Sequence, residues 1–273
     1  MCPRQGPPSS PGRSPGHSVS LERGLNILSA FSSSRPVLGI ADLARAAGLT
    51  KSTTHRYVTT LVSLDYVQQD PETRKYHLGP RVIDLGFAAI DSMELTRVAA
   101  PALQALADET GYTVSMAVCD GPDIVYVDRR RSGRRTSLAM DLNLHVGSRL
   151  PAYCTAMGKA MLAWKDPAAL RQILDRTDMA RRGPNTLTNR EQLMAALARV
   201  RQTGVAVNDE ELAPGLRSFA APVRDRSGAV IAAVNVAVHL SFAPASPEAL
   251  AGRLEPPLRR TAAEISRGLG HRG

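Results

Sequence analysis

Leu21, Leu25, Leu28 and Phe31 recur at helical spacing and run into Ser32-Ser33-Ser34, which predicts a first helix with those residues inward. A second helix is predicted over 40–47, with Leu43, Ala44 and Ala47 on its inner face. Gly48 stops it, as glycine does just past a helix end. Leu49 plugs the turn, and Thr50 or Ser52 caps a third helix from about Lys51 to Leu64. Thr54, Val58 and Leu61 form its inner stripe. Two short strand-like runs follow, 66–68 and 75–78, separated by the turn signal Asp70-Pro71-Glu72-Thr73. Three helices and a hairpin are the plan of a winged helix-turn-helix.

Residues 80–96 read as one long helix opened by Pro80. It is apolar on two faces: Val82, Leu85, Ala89 and Met93 on one, Ile83, Phe87 and Ile90 on the other. A connecting helix that apolar needs cover, and a second subunit is the favoured one. Pro101 predicts a break into a further helix ending near Gly111. Strands are expected at 112–118, 124–128, 136–140, 205–207, 218–223 and 230–238. Helices are expected at 156–164, 167–174 and 189–203. A C-terminal helix carries Leu254, Leu258, Ala262 and Ile265, with Pro256-Pro257 kinking it or marking its start. The fold class is therefore α+β, a sheet flanked by helices behind a winged helix.

Composition narrows the function. The apolar fraction of 43% supports a folded core. No run approaches the roughly 18 apolar residues of a membrane span, and the Pro, Gly and Ser-rich residues 1–18 lack the apolar stretch of a secretory signal. They read as a tail without structure. Cys2, Cys119 and Cys154 make no disulfide framework, so a reducing cytoplasm is expected. The net charge of +9 points to an anionic partner. It is spread along the chain, at about +2 over 1–18, about +2 over 19–80 and about +5 over 81–273. Charge alone therefore does not place the site.

The third helix does. Lys51, Ser52, Thr53, His55, Arg56 and Thr59 lie off its inner stripe. Small hydroxyls let a helix approach base edges, Arg56 suits a guanine edge and Lys51 a phosphate. Arg74 and Lys75 on the wing suit the adjacent backbone or minor groove, with Arg35 and Arg45 as further backbone contacts. The competing reading is a solvated polar face on a module that binds protein.

Several long segments, in order, resemble the IclR family of bacterial transcription regulators. They are SLERGLNILSAF, IADLARAAGLTKSTTHRYVTTLVSLDYV, RKYHLGPRVIDLG, GSRLPAYCTAMGKAMLA and NDEELAPGLRSFAAPVRDRSGAVIAAVNVAVHLS, covering almost all of 19–268. The wording RLPAYCTAMGKAMLA is similar to the branch governing protocatechuate, 4-hydroxybenzoate and β-ketoadipate catabolism. The resemblance implies a winged helix-turn-helix over 19–80, a linker helix over 81–96 that transmits the ligand signal, and a GAF-like effector-binding domain over 97–273. It implies operator DNA, a small organic acid and a homodimer or homotetramer as partners, with the acid changing DNA affinity or RNA polymerase contact. It implies no cofactor.

Thr155 is placed to cap a helix starting near Ala156, and Ala156, Met157 and Gly158 leave room for a carboxylate near its first N–H groups. The family's corresponding turn lines the effector pocket. Carried over by motif, Asn208, Leu216, Ser218, Asn235 and Ala237 fall on pocket positions, with Met140, Tyr153 and Cys154 as weaker candidates. Related proteins carry Asp where Asn208 stands.

Other signals carry less. Gly158-Lys159 lacks the earlier glycine and following hydroxyl of a phosphate loop. Cys154 has no histidine nearby in sequence to act as base, which counts against the alternative of a small-acid-converting enzyme. The six histidines show no ligand spacing, and Asp209-Glu210-Glu211 reads as solvated, so no metal is expected. The basic run 129–135 reads as an exposed hairpin tip.

Overall fold

The computed structural model describes residues 17–32, 34–91, 94–132, 144–242 and 246–272. The chain divides into two compact units, residues 1–89 and 90–273.

The first unit is α1 (Val19–Leu28), α2 (Ile40–Ala47), α3 (Lys51–Ser63), β1 (Val67–Gln69), β2 (Tyr76–Leu78) and α4 (Pro80–Asp91). Gly48 ends α2 in the left-handed conformation, φ 64°, where a Cβ would be strained. Thr50, not Ser52, caps α3, its Oγ1 accepting from the Thr53 N–H at 3.2 Å. β1 and β2 form an antiparallel hairpin. Its turn is held by Asp70, whose Oδ1 accepts from the N–H groups of Glu72 and Thr73. Ile27, Phe31, Leu38, Leu43, Val58, Val67 and Tyr76 make the core.

The inner face of α1 differs from expectation. Leu21 and Leu25 are 64% and 53% exposed, while Ile27 is fully buried. Ile27 and Phe31, four apart, face α2 and α3, so the Leu21–Leu25 stripe lies round the helix on another face. On α4, Ile83 and Leu85 are also exposed.

The second unit opens with α5 (Glu94–Thr110) and continues through β3 (Thr113–Asp120), β4 (Asp123–Arg130), β5 (Arg149–Pro151), α6 (Ala156–Leu162), α7 (Pro167–Asp175), α8 (Arg190–Thr203), β6 (Ala206–Asp209), β7 (Leu216–Arg224), β8 (Val230–His239) and α9 (Pro247–Gly268). Among the described residues its six strands form one antiparallel sheet in the order β5-β4-β3-β8-β7-β6. α5 and α9 share one core with Val114, Met116, Val234 and Val236. α6, α7 and α8 share the other with Ala117, Tyr126, Ala220 and Ala233. Strand alternation separates these two sets.

Pro101 does not break α5, nor do Pro256 and Pro257 begin α9; each helix runs through. Burial of Leu95, Ala99, Leu103 and Leu106, and of Leu254, Leu258, Ala262 and Ile265, holds these helices despite the lost hydrogen bonds. The short strand β5 was not expected. The strand expected at 136–140 and the candidate Met140 lie outside the described residues, as does the tail apart from His17 and Ser18.

Candidate functional site

On α3, Lys51, Ser52, His55, Arg56 and Thr59 are exposed and Thr53 is half-buried, while Thr54 and Val58 point into the core. Thr53 is drawn into the cap, its Oγ1 accepting from Thr50 Oγ1 at 2.9 Å. Thr59 donates its hydroxyl to the His55 carbonyl at 2.9 Å, so outward it offers lone pairs and a methyl. Arg74 and Lys75 are exposed at the end of the wing turn, with Arg74 at φ 57°. None of Arg35, Lys51, Arg56, Arg74 and Lys75 forms an ion pair among the described residues, whereas Arg45 is paired with Asp42 at 3.1 Å. Exposed cations without an ion-pair partner among the described residues, on a helix and a wing turn, suit a phosphate backbone.

The second candidate site lies between the sheet and α6. Its lining includes Thr155, Ala156, Met157, Asn208, Leu216, Ser218, Asn235 and Ala237. Gly158 is not among the lining residues. Its role is close packing, because a Cβ there would clash with the backbone of Ala152.

Sheet register explains how residues more than 100 apart in sequence meet. Arg129, Ser115, Asn235 and Ala220 are successive cross-strand partners on β4, β3, β8 and β7. One rung along, Thr113, Ala237, Ser218 and Asn208 are partners across β3, β8, β7 and β6. The polar face is thus two adjacent rungs roofed by the first turn of α6.

Each polar group has a definable state. Asn235 Oδ1 accepts from the Ser115 N–H at 3.2 Å, which leaves its amide nitrogen for another partner. Asn208 is committed to structure. Its Nδ2 donates to the Cys154 carbonyl at 3.1 Å and its Oδ1 accepts from the Glu211 N–H at 3.0 Å. Thr155 Oγ1 accepts from the Gly158 N–H at 3.1 Å, capping α6. The Thr113 hydroxyl is buried with no hydrogen-bond partner among the described residues. Burial pushes the Tyr126 phenol up to about 12, so it stays protonated.

Thr113, Ser115, Tyr126, Arg129, Leu144 and Leu212 also line the cavity and were not expected there. Thr113 and Ser115 were findable, as alternate polar positions in an apolar strand. Arg129 was not: it belongs to β4, not to a hairpin tip, and Arg130 beside it is held by Asp128 at 2.7 Å. Residues 133–135 of that basic run lie outside the described residues. Tyr153 and Cys154 do not line the cavity. Tyr153 donates to the Ala180 carbonyl, and burial pushes the Cys154 thiol up to about 11, leaving it protonated and poorly nucleophilic at neutral pH.

The cavity is small, about 30 Å³. That is room for ordered water, so a larger ligand must part its walls. Among the described residues, no three His, Cys, Asp or Glu side chains gather as a metal set, and no helix is long and apolar enough to cross a membrane.

Two family models match the chain. That of the IclR helix-turn-helix domain covers residues 20–71, and that of the bacterial transcriptional regulator IclR C-terminal domain covers 87–267. The chain is 38% identical over 226 residues to the Pca regulon regulatory protein of Pseudomonas putida, spanning 83% of this chain and 76% of that one. It is 33% identical to the HTH-type transcriptional regulator XynR of Escherichia coli K12, spanning 92% and 97%. Among solved structures, an IclR homolog from Microbacterium hydrocarbonoxydans complexed with 4-hydroxybenzoate superposes with a TM-score of 0.76 at 25% identity, covering 92% of this chain and 98% of that one.

Proposed function

The chain belongs to the IclR family of bacterial transcriptional regulators and is a DNA-binding regulator of that type; from that premise we propose that a small organic acid from aromatic catabolism, bound in the cavity under α6, controls its hold on operator DNA. The observation that carries this reading is the convergence of eight motif-derived residues on one cavity between the sheet and α6. The aromatic class is supported by the 4-hydroxybenzoate bound to one structural relative. The alternative of an enzyme loses its ground, since the relatives are named as transcriptional regulators and Cys154 is a buried, protonated thiol.

In this reading two subunits place their α3 helices in successive major grooves of a pseudo-palindrome, about one turn apart. Lys51, Ser52, Thr53, His55, Arg56 and Thr59 face the groove, and Arg74 and Lys75 hold the flanking backbone. The exposed Leu21, Leu25, Ile83 and Leu85 supply apolar surface for the dimer contact. The acid shifts the population between two arrangements of the dimer, and does so only to the extent that it binds one of them better. Widening so small a cavity gives it grounds for that preference.

The test is fluorescence anisotropy with DNA from upstream of the gene, at two salt concentrations, with and without protocatechuate, 4-hydroxybenzoate and β-ketoadipate. Salt-sensitive binding that exceeds binding to random DNA and responds to an acid is expected. Arg56→Ala should weaken operator binding by about 1–3 kcal/mol and leave acid binding intact. Operator affinity unchanged by that substitution would remove Arg56 from the recognition surface. Specific DNA binding indifferent to every acid would remove the aromatic effector.

A further inference from the structure

We propose that Arg129 anchors the carboxylate of the ligand in this cavity, and that the cavity therefore selects a singly charged acid with a hydrogen-bonding group at its far end. This deepens the effector reading above and rests on it.

The geometry begins with an irregularity. Alternation along a strand places residues three apart on opposite faces. In β4, however, the register slips between Met116 and Ala117 of β3: Ala117 pairs with Tyr126 and Met116 with Asp128, so Val127 is the extra residue. The bulge brings Tyr126 and Arg129 to the same side, and both line the cavity. Bulges re-aim side chains next to sites in this way.

Charge then decides the ligand class. Among the described lining residues, Arg129 is the one with a charged side chain; the others are apolar, hydroxyl, phenol or amide. A carboxylate leaving water for such a space needs a paired charge, and an arginine supplies two parallel N–H donors to it. A second carboxylate would find neutral groups alone, at a cost of several kcal/mol per unpaired ion. The start of α6 is no substitute. That helix has seven residues, and its cap already takes up the Gly158 N–H.

The far end of the ligand is set by the neighbouring strands. Asn235 has its oxygen engaged and its amide nitrogen left to give. Thr113, 5% exposed, carries a hydroxyl with no partner among the described residues. Leaving such a group unmet is costly, and a ligand hydroxyl or carbonyl would meet it. Ser218 stands on β7, three strands from Arg129, at roughly 4.8 Å per step. The polar groups are thus spread across the cavity rather than gathered beside Arg129.

Calorimetry on the full chain tests the proposal with four probes: 4-hydroxybenzoate, benzoate, adipate and 4-hydroxybenzamide. In the wild type, 4-hydroxybenzoate should bind more tightly than benzoate and than adipate. Arg129→Gln should weaken 4-hydroxybenzoate about 10- to 100-fold, the worth of a charge-assisted hydrogen bond, while changing the uncharged amide little. Should Arg129→Gln fail to fold, Arg129→Lys, which keeps the charge and loses the fork, should still weaken the acid selectively. Ala237→Phe, which fills the cavity, should abolish binding of every probe. If Ala237→Phe abolishes binding while both Arg129 variants bind the acid as the wild type does, the anchor is overturned and the effector cavity stands. Adipate binding as tightly as 4-hydroxybenzoate overturns the single-charge selection. Binding untouched by Ala237→Phe, or no probe bound at all, overturns the cavity and the anchor together.

Discussion

Gly158→Ala is expected to destabilise the second unit by about 3 kcal/mol or more, the upper range for overpacking a fixed core. α6 lies against the turn that precedes it, and the Gly158 Cα faces the backbone of Ala152. A Cβ there would meet the carbonyl oxygen, Cα and carbonyl carbon of that residue at distances real side chains do not reach. Both sides of the contact are main chain, so no rotamer change relieves it. Ala152 is itself tied down, its N–H donating to the Pro122 carbonyl at 2.9 Å, and Thr155 ties the same turn to α6. The helix must therefore tilt away, and Ala156 and Met157 leave the cavity wall with it. Thermal unfolding should fall by roughly 6–12 °C for a unit of this size. Gly252→Ala is the matched control, since a Cβ on that α9 glycine meets nothing within 4 Å. It should stabilise the same unit by about 0.5–1 kcal/mol through helix propensity. Equal effects from the two substitutions would mean that Gly158 is not a packing glycine.

The first unit was legible because each of its signals is local. Gly48 stops α2, Thr50 starts α3 and Asp70 turns the hairpin, and each acts through atoms within four residues. Its one surprise, the exposed Leu21 and Leu25, arose because α1 is apolar on more than one face. Spacing alone does not say which face meets α2. In the second unit, motif resemblance located Asn208, Ser218 and Asn235, but not what they do. Asn208 turns out to bind the Glu211 N–H three residues on and the Cys154 carbonyl in the turn before α6, and the second contact exists only once the turn packs against β6. Arg129 was hidden twice, by a basic run that reads as solvated and by a bulge that reverses the expected face. The break expected at Pro101, and a start of α9 at Pro256-Pro257, do not occur for a related reason. A proline is a local penalty, and burial along a whole helix outweighs it.

Lys159→Met should cost about 3–5 kcal/mol at neutral pH, the usual loss when half of a buried ion pair is removed. Lys159 on α6 pairs with Glu211 in the connection between β6 and β7, and the two are 3% and 6% exposed. Burial pulls the lysine pKa down and pushes the glutamate pKa up, and the charge of each opposes that drift in the other. The other oxygen of Glu211, Oε2, has no hydrogen-bond partner among the described residues. Without Lys159 the carboxyl rises further, above its ordinary value of 4.5. The folded chain then holds a proton that the unfolded chain releases. Stability of the variant must fall as pH climbs from about 4.5 through the raised folded pKa, and recover toward acid. Urea unfolding at pH 5 and pH 8 should therefore show a smaller deficit against the wild type at pH 5. Replacing both partners, Lys159→Met with Glu211→Leu, should restore most of the loss, because no charge is then left buried alone. A deficit equal at the two pH values, and undiminished in the double variant, would mean that Lys159 supports α6 by filling space and that its charge is incidental.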